Sequence, residues 1–500
     1  MKKYLVLIGA AVLVLALVSP SMAQFKSWGH LEVQTVYVTK PDFGNGGATP
    51  FNTTPAFTQQ NSAGTAPSGD VVTKQVFERF RFYLQYGDPK TVRAVLGFEA
   101  DSYNFGERPF SEAESNGAAS YGNPAPAGGF GRMGVVGTDT IQLKIMHAFL
   151  EFVVPTTPVS VKVGLQPYNI GGVLFVSKDV PGMTVTADFA PHKVELYWWR
   201  EADANLNTYG VDDMYGAQWT MAQKLFNIYA YGFYKNDLTS ANTMQAWSDM
   251  SGNFYDDHPY WFGIGGGFRP GNWDLSGQFI YNGGKRENKG VIQDQDYNAW
   301  QGMVSAKYRI GPGLAVVGDL FYSTGNDAGD PSKIKRFTLP ISAKAGNGSE
   351  VMWGMGADRS VFYFFNWDLN YVSGRNLDYT GQYFGNLRVE YNPTPWVNLN
   401  FNWLYIGDTS SGSPGSFTYT TPDGTAHTAT KIVNSPLGAR QDSDKSYCGQ
   451  ELDVIAKIKI YEPLYYNIGL GYFFPGDVFD TASRSADNGW ALNTKLIYSF

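Results

Sequence analysis

A single cysteine, Cys448, stands in 500 residues, so neither a disulfide framework nor a thiolate metal cluster organises this chain, and haem attachment through paired cysteines is excluded. Histidine is nearly as scarce. His30, His147, His192, His258 and His427 are scattered without ligand spacing, and no G-x-S-x-G, H-E-x-x-H or G-x-x-x-x-G-K-[ST] pattern occurs. The chain is therefore read as no enzyme, with no cofactor and no metal. Past the first two dozen residues no apolar run reaches about eighteen, which excludes a bundle of transmembrane helices. Positive charge is in deficit too: 38 Lys and Arg against 45 Asp and Glu give a formal net charge of −7, and −9 once Lys2 and Lys3 are removed. Such a balance argues against nucleic acid as a partner.

What is present begins with a tripartite leader. Lys2 and Lys3 form a basic start, Tyr4 to Val18 an apolar stretch, and Ser21-Met22-Ala23 a small-x-small cleavage site before Gln24. Residues 1–23 are expected to be a cleaved secretory signal, with 24–500 as one domain. No cysteine follows the cleavage site, so no lipoprotein anchor is expected. A strand pattern starts at Trp28, which leaves no room for a plug-sized segment ahead of it. The chain also carries 32 Tyr, 33 Phe, 13 Trp and 57 Gly, a mixture that suits a large β protein with aromatic girdles and many turns.

Strand periodicity runs to the last residue. Trp490, Leu492, Thr494, Leu496, Tyr498 and Phe500 occupy alternate positions, and Ala491, Asn493, Lys495, Ile497 and Ser499 the others. Phe80, Phe82, Leu84 and Tyr86 alternate with Arg79, Arg81, Tyr83 and Gln85; after Gly87-Asp88-Pro89-Lys90, Val92, Ala94, Leu96 and Phe98 alternate with Arg93, Val95, Gly97 and Glu99. One face of this hairpin suits lipid, and the arginine face suits a water-filled lumen. Short turns, mostly with proline, alternate strictly with long polar stretches near 103–138, 167–181, 202–213, 236–258, 283–297, 324–377, 407–448 and 475–488. The layout predicts an all-β fold: a transmembrane antiparallel β-barrel of about 18 strands, with short periplasmic turns and long extracellular loops. Sixteen is the alternative count, because the segments Val159 to Gln166 and Met183 to Phe189 are short.

These patterns carry a resemblance. The terminal strand ending on Phe500 resembles the closing strand of Gram-negative outer-membrane proteins, which implies the cell outer membrane as location and recognition of Phe500 by the barrel-assembly machinery. Arg79 to Asp101 is similar to the second and third strands of bacterial porins, and His147 to Gln166 to the strand, turn and strand that lead into their inward-folded constriction loop. The porin superfamily resemblance implies a passive channel for small hydrophilic solutes or ions, a constriction loop carrying Lys178 and Asp179, and a homotrimer in outer-membrane lipid. A substrate-specific or export barrel of carboxylate or polysaccharide type is the alternative.

For a channel, inward charge sets the potential a solute meets. Arg79, Arg81, Arg93, Lys144 and Lys162 on strands two to five, with Lys457, Lys459 and Lys495 on strands sixteen to eighteen, are expected to join across the seam as one basic wall. Glu99, Asp101, Glu151, Glu195 and Glu390 are the expected acidic counterparts, facing that wall to create a transverse field. The plainer reading is that lumen charge merely keeps the pore wet. Asp294-x-Asp296-x-Asn298 begins like a calcium loop but lacks the glycine and terminal Glu. Gly263-Ile264-Gly265-Gly266-Gly267 continues a strand, where glycines make room for a bend or an inward loop. Val361 to Phe365 is apolar without alternation and is read as a loop folding inward or packing on the rim.

Overall fold

Alternation of apolar and polar residues over ten or more positions gives strands with one face for lipid and one for water, and such strands are stable only when every edge is paired. The computed structural model describes residues 25–40, 72–102, 143–171, 174–203, 211–237, 255–288, 294–325, 330, 332–340, 359–363, 381–410, 415–420, 426–431, 434–435, 438–439, 446–480 and 485–500. The barrel strands are β1 (Phe25–Thr39), β2 (Val72–Asp88), β3 (Val92–Ser102), β4 (Leu143–Val153), β5 (Val159–Ile170) and β6 (Val176–Phe189). They continue as β7 (His192–Asp203), β8 (Val211–Ala222), β9 (Phe226–Asp237), β10 (Tyr255–Phe268), β11 (Trp273–Asn288) and β12 (Gln295–Gly311). The last six are β13 (Leu314–Ser323), β14 (Gln382–Thr394), β15 (Val397–Asp408), β16 (Tyr447–Tyr461), β17 (Leu464–Pro475) and β18 (Gly489–Ser499).

Each strand pairs antiparallel with the next, and β18 closes on β1 from His30↔Ser499 to Val38↔Ala491. The fold is a closed antiparallel barrel of eighteen strands, the expected count. The segments that argued for sixteen are β5 and β6, at 12 and 14 residues. Their missing length lies in the stretch expected as the loop 167–181. Pro167 to Ile170 pair with Asp179 to Val176, so the ladder runs to within a few residues of the hairpin tip. Lys178 and Asp179 are therefore strand residues, not loop residues. The physical reason is that a backbone turned into a confined lumen must satisfy its own hydrogen bonds, and a two-stranded ladder does so locally.

The outward face carries Leu320, Phe262, Ile145 and Val304, all more than half exposed, while inward Gln301, Asn282 and Asp319 are buried. An apolar outer band over a polar interior is what lipid outside and water inside require. Phe500 lies in the outer aromatic band, stacked on Phe80 (6.1 Å) and Phe82 (6.3 Å) of β2. On the inner wall Gly263 and Gly265 lie beneath the rings of Tyr231 and Tyr229, where any Cβ would collide with them. The glycine-rich stretch of β10 thus lets two tyrosines lie flat.

The short turns match the sequence expectation within a few residues; Met221 and Ala222 extend β8, so that turn spans 223–225. The long-loop end adds small elements that periodicity did not reveal. Gly415–Thr420 pairs with Ala426–Lys431, and Lys333–Ile334 runs parallel to Asp296 and Tyr297 of β12. Beside it the Ser332 hydroxyl donates to Asp330 (2.6 Å), which with Lys333 and Lys335 nearby holds that carboxyl below the usual carboxylate range. The expected signal 1–23, the long loops at 41–71 and 103–142, and Phe364 and Phe365 lie outside the described residues.

Candidate functional site

The inner wall is built from alternate residues of each strand, so register decides which charges touch. On β2 and β3, Arg81 stands opposite Glu99 and Arg79 opposite Asp101; on β3 and β4, Arg93 stands opposite Glu151. The consequence is direct pairing. Arg81 reaches Glu99 at 2.7 Å, and Arg79 and Lys144 approach the same carboxylate at 3.7 Å. Arg93 holds Glu151 at 2.6 Å. Across the seam Lys495 approaches Glu32 of β1 at 3.5 Å. Lys162, cross-strand from Glu151, lies 5.2 Å from the centre of the Phe149 ring.

This corrects the expected layout. Glu99 and Glu151 do not face the basic wall; they are set within it, because inward positions on neighbouring antiparallel strands are cross-strand neighbours. Glu195 and Glu390 lie elsewhere, on β7 and β14, each with cations of its own. Glu195 pairs with Lys193 at 2.9 Å, and Glu390 pairs with Arg388 at 3.0 Å and with Lys307. The Asp101 side chain is outside the described set. On β16, Lys459 pairs with Glu462 at the short-turn end, and Lys457 shares the inward face above it. On β18 and β1 to β5 the described inward carboxylates are Glu32, Glu99 and Glu151, fewer than the cations among them, so the wall keeps a positive excess.

The β5–β6 hairpin projects from one side of the barrel to the other. On its β4 side His147 Nε2 lies 2.8 Å from Asp179 Oδ1. At its tip Leu174 and Phe175 are buried, and Gln301 of β12 donates to the Leu174 carbonyl at 2.6 Å. Phe175 stacks on Tyr231 (4.7 Å) and packs on Phe233 and Trp261. Tyr168, farther back, packs on Trp199 (4.8 Å). The tip is thus seated on an uncharged aromatic wall formed by β9 and β10, and Tyr168 extends the contact to β7. Lys178 is exposed on the hairpin.

Two further segments fold inward. The Trp261 indole donates to the Thr338 carbonyl at 2.8 Å, and Asn282 Oδ1 accepts from the Thr338 hydroxyl at 2.7 Å, with Phe337 buried beside them. Farther round, Val361, Phe362 and Tyr363 are buried against β16 and β17. The inward folding expected of Val361 onward is seen for its first three residues. Glu451 and Asp453, on the inward face of β16, hold this segment. Arg388, Lys307 and Asp319 were not singled out as lumen charges, although their strand alternation was available, and Arg359 lies in no strand to show one.

No protein-family model matches this chain, and no curated protein matches it in sequence. Solved structures do resemble it in fold. Acinetobacter baumannii OccAB1 is 12% identical with a TM-score of 0.50, covering 95% of this chain and 97% of that one. Pseudomonas aeruginosa OccK8 (OprE) is 11% identical with a TM-score of 0.49, covering 95% and 98%. Pseudomonas aeruginosa OpdL is 12% identical with a TM-score of 0.48, covering 95% and 99%. At such identities the likeness is one of fold.

Proposed function

We propose that this protein is an outer-membrane porin, a passive diffusion channel through which small hydrophilic solutes or ions cross the cell outer membrane. The observation that carries the reading is the inward wall of β18 and β1 to β5. There Arg79, Arg81, Arg93, Lys144, Lys162 and Lys495 line a closed barrel whose outer face is apolar. A hydrated, charged lumen lowers the cost of moving polar solutes through the bilayer, and nothing covalent is required. On this reading the long loops face outward and the short turns face the periplasm. The leader 1–23 directs export, the barrel-assembly machinery recognises the Phe500 strand, and three barrels associate. Lys178 and Asp179 belong to the constriction.

A second reading, selectivity for carboxylated solutes, is favoured by the positive excess around Glu99, where three cations share one carboxylate. Planar-bilayer recording on the refolded protein tests both. Ohmic steps with a mild anion preference support the general channel; a current that a carboxylate saturates and blocks supports the selective one. Absence of conductance from protein that shows heat-modifiable barrel mobility would sink the proposal.

A further inference from the structure

We infer that residues 359–363 form a displaceable strap over the inner wall of β13 to β17, so that the channel has a narrow state with the strap seated and a wider one with it released. The inference rests on the channel reading and goes beyond it.

The seat is specific. Glu451, fully buried, accepts from the backbone N–H groups of Val361 (2.8 Å), Phe362 (2.7 Å) and Tyr363 (2.9 Å), and from the Ser360 hydroxyl (3.0 Å). Asp453 Oδ1 takes a second bond from the Val361 N–H at 3.2 Å. Phe362 stacks on Phe473 at 5.2 Å with the rings 5° from parallel. Val361 lies over Gly469 and Gly471, where side chains would obstruct it. Arg359 reaches the other way to Asp319 of β13 at 2.9 Å, which carries its guanidinium across β14 and β15.

The wall beneath is built for water. Asn386 Oδ1, Arg388 Nη1, Asn400 Oδ1 and both amide atoms of Asn402 are buried, with no hydrogen-bond partner among the described residues. Register places Asp319 beside Asn386, Arg388 beside Asn402, and Asn402 beside Asp453, so they form one continuous patch. A permanently covered surface would be apolar or fully paired, since each orphaned polar atom is costly. A polar wall under a segment held mainly by charge-assisted hydrogen bonds is what a seat needs when it alternates between covered and wet.

The test is single-channel recording on the full chain. In wild type the current should switch between a smaller and a larger level. Glu451→Gln removes the charge that gathers four donors, and should raise the ratio of larger-level to smaller-level occupancy at least tenfold, ~1.4 kcal/mol. The double variant Val361→Cys with Gly469→Cys joins strap to seat. Oxidised, it should hold the smaller level, and reductant should restore switching in the same molecules. Wild type, whose own Cys448 is buried, controls for the reductant. Conductance at one level, unchanged by oxidation and by Glu451→Gln, would overturn the strap while leaving the channel reading intact. Absence of any current would instead overturn the channel reading. A Glu451→Gln barrel that fails to form leaves the decision to the oxidised and reduced tether.

Discussion

Glu99→Gln isolates the electrostatics of the seam wall. One carboxylate stands among Arg81 at 2.7 Å and Arg79 and Lys144 at 3.7 Å, so its neutralisation adds a full positive charge without removing a basic group. At roughly 7 Å from an ion's path, that charge changes the ion's energy by about 0.6 kcal/mol in water. Screening at ~0.1 M salt, with a Debye length of ~10 Å, halves this to about 0.3 kcal/mol. The change has opposite sign for anion and cation, so their permeability ratio moves by about 0.6 kcal/mol, close to threefold toward the anion. Reversal potentials in a salt gradient read this directly. At ~1 M salt the Debye length falls to ~3 Å and the effect should shrink to about 1.2-fold. An unchanged ratio at low salt, or a change undiminished at high salt, would refute the placement of Glu99 and its cations on the ion path.

Phe175→Ala removes a buried ring from the tip of the β5–β6 hairpin, forfeiting about 3–5 kcal/mol of packing; unitary conductance should rise as the hairpin loosens, and an unaltered value would deny the hairpin a role in narrowing the lumen. Val454→Arg places a cation midway along β16 on the outer face, where Val454 is exposed; unfolding in lipid vesicles should show a loss of roughly 2–4 kcal/mol. The same substitution in a barrel whose outer face met water would cost little. Gly263→Ala drives a methyl into the Tyr231 ring that supports Phe175, and should destabilise the fold by about 1–3 kcal/mol in the same assay.

The hairpin Arg79 to Glu99 was legible because lipid demands an apolar residue at every second position, and nothing in a lumen opposes arginine at the others. The alternation of proline-bearing turns with long polar stretches pointed to about eighteen strands for the same reason, with sixteen left open until the full lengths of β5 and β6 were seen. Periodicity assigns a residue to a face, however, and not to a partner. The turn at Gly87 sets Glu99 opposite Arg81, the turn at Pro155 sets Glu151 opposite Lys162, and the β3–β4 register sets Glu151 opposite Arg93; no pattern within a single strand reports that. The extension of β5 past Gln166 was hidden by Pro167, Gly171 and Pro181, each of which reads as a breaker. Pro167 and Pro181 are extended because they pair in the ladder, and Gly171, at φ 63°, begins the turn beyond it. Val361 to Tyr363 lacked alternation because they belong to no strand; their hydrogen bonds go to Glu451, about ninety residues later.

Three features divide the inner circumference. The hairpin tip occupies the aromatic face of β9 and β10, Thr338 closes over β10 and β11, and residues 359–363 cover β16 and β17. The first seat is aromatic, the second joins an indole and an amide to a backbone segment, and the third is two carboxylates that accept from backbone N–H groups. Among the described residues, no inward-folded segment is docked on β1 to β3, where Arg79 and Arg81 stand half-buried beside their carboxylate. On the channel reading, packing on the opposite arcs should press a passing solute toward the positively charged arc of β18 and β1 to β5. Aromatic and glycine residues distant from any charge are therefore expected, on that reading, to influence selectivity. Gly263 makes room for Tyr231 and Tyr231 stacks on Phe175 at the hairpin tip, so substitutions at these three positions should shift the anion-to-cation permeability ratio if the hairpin sets how near to Arg81 an ion travels.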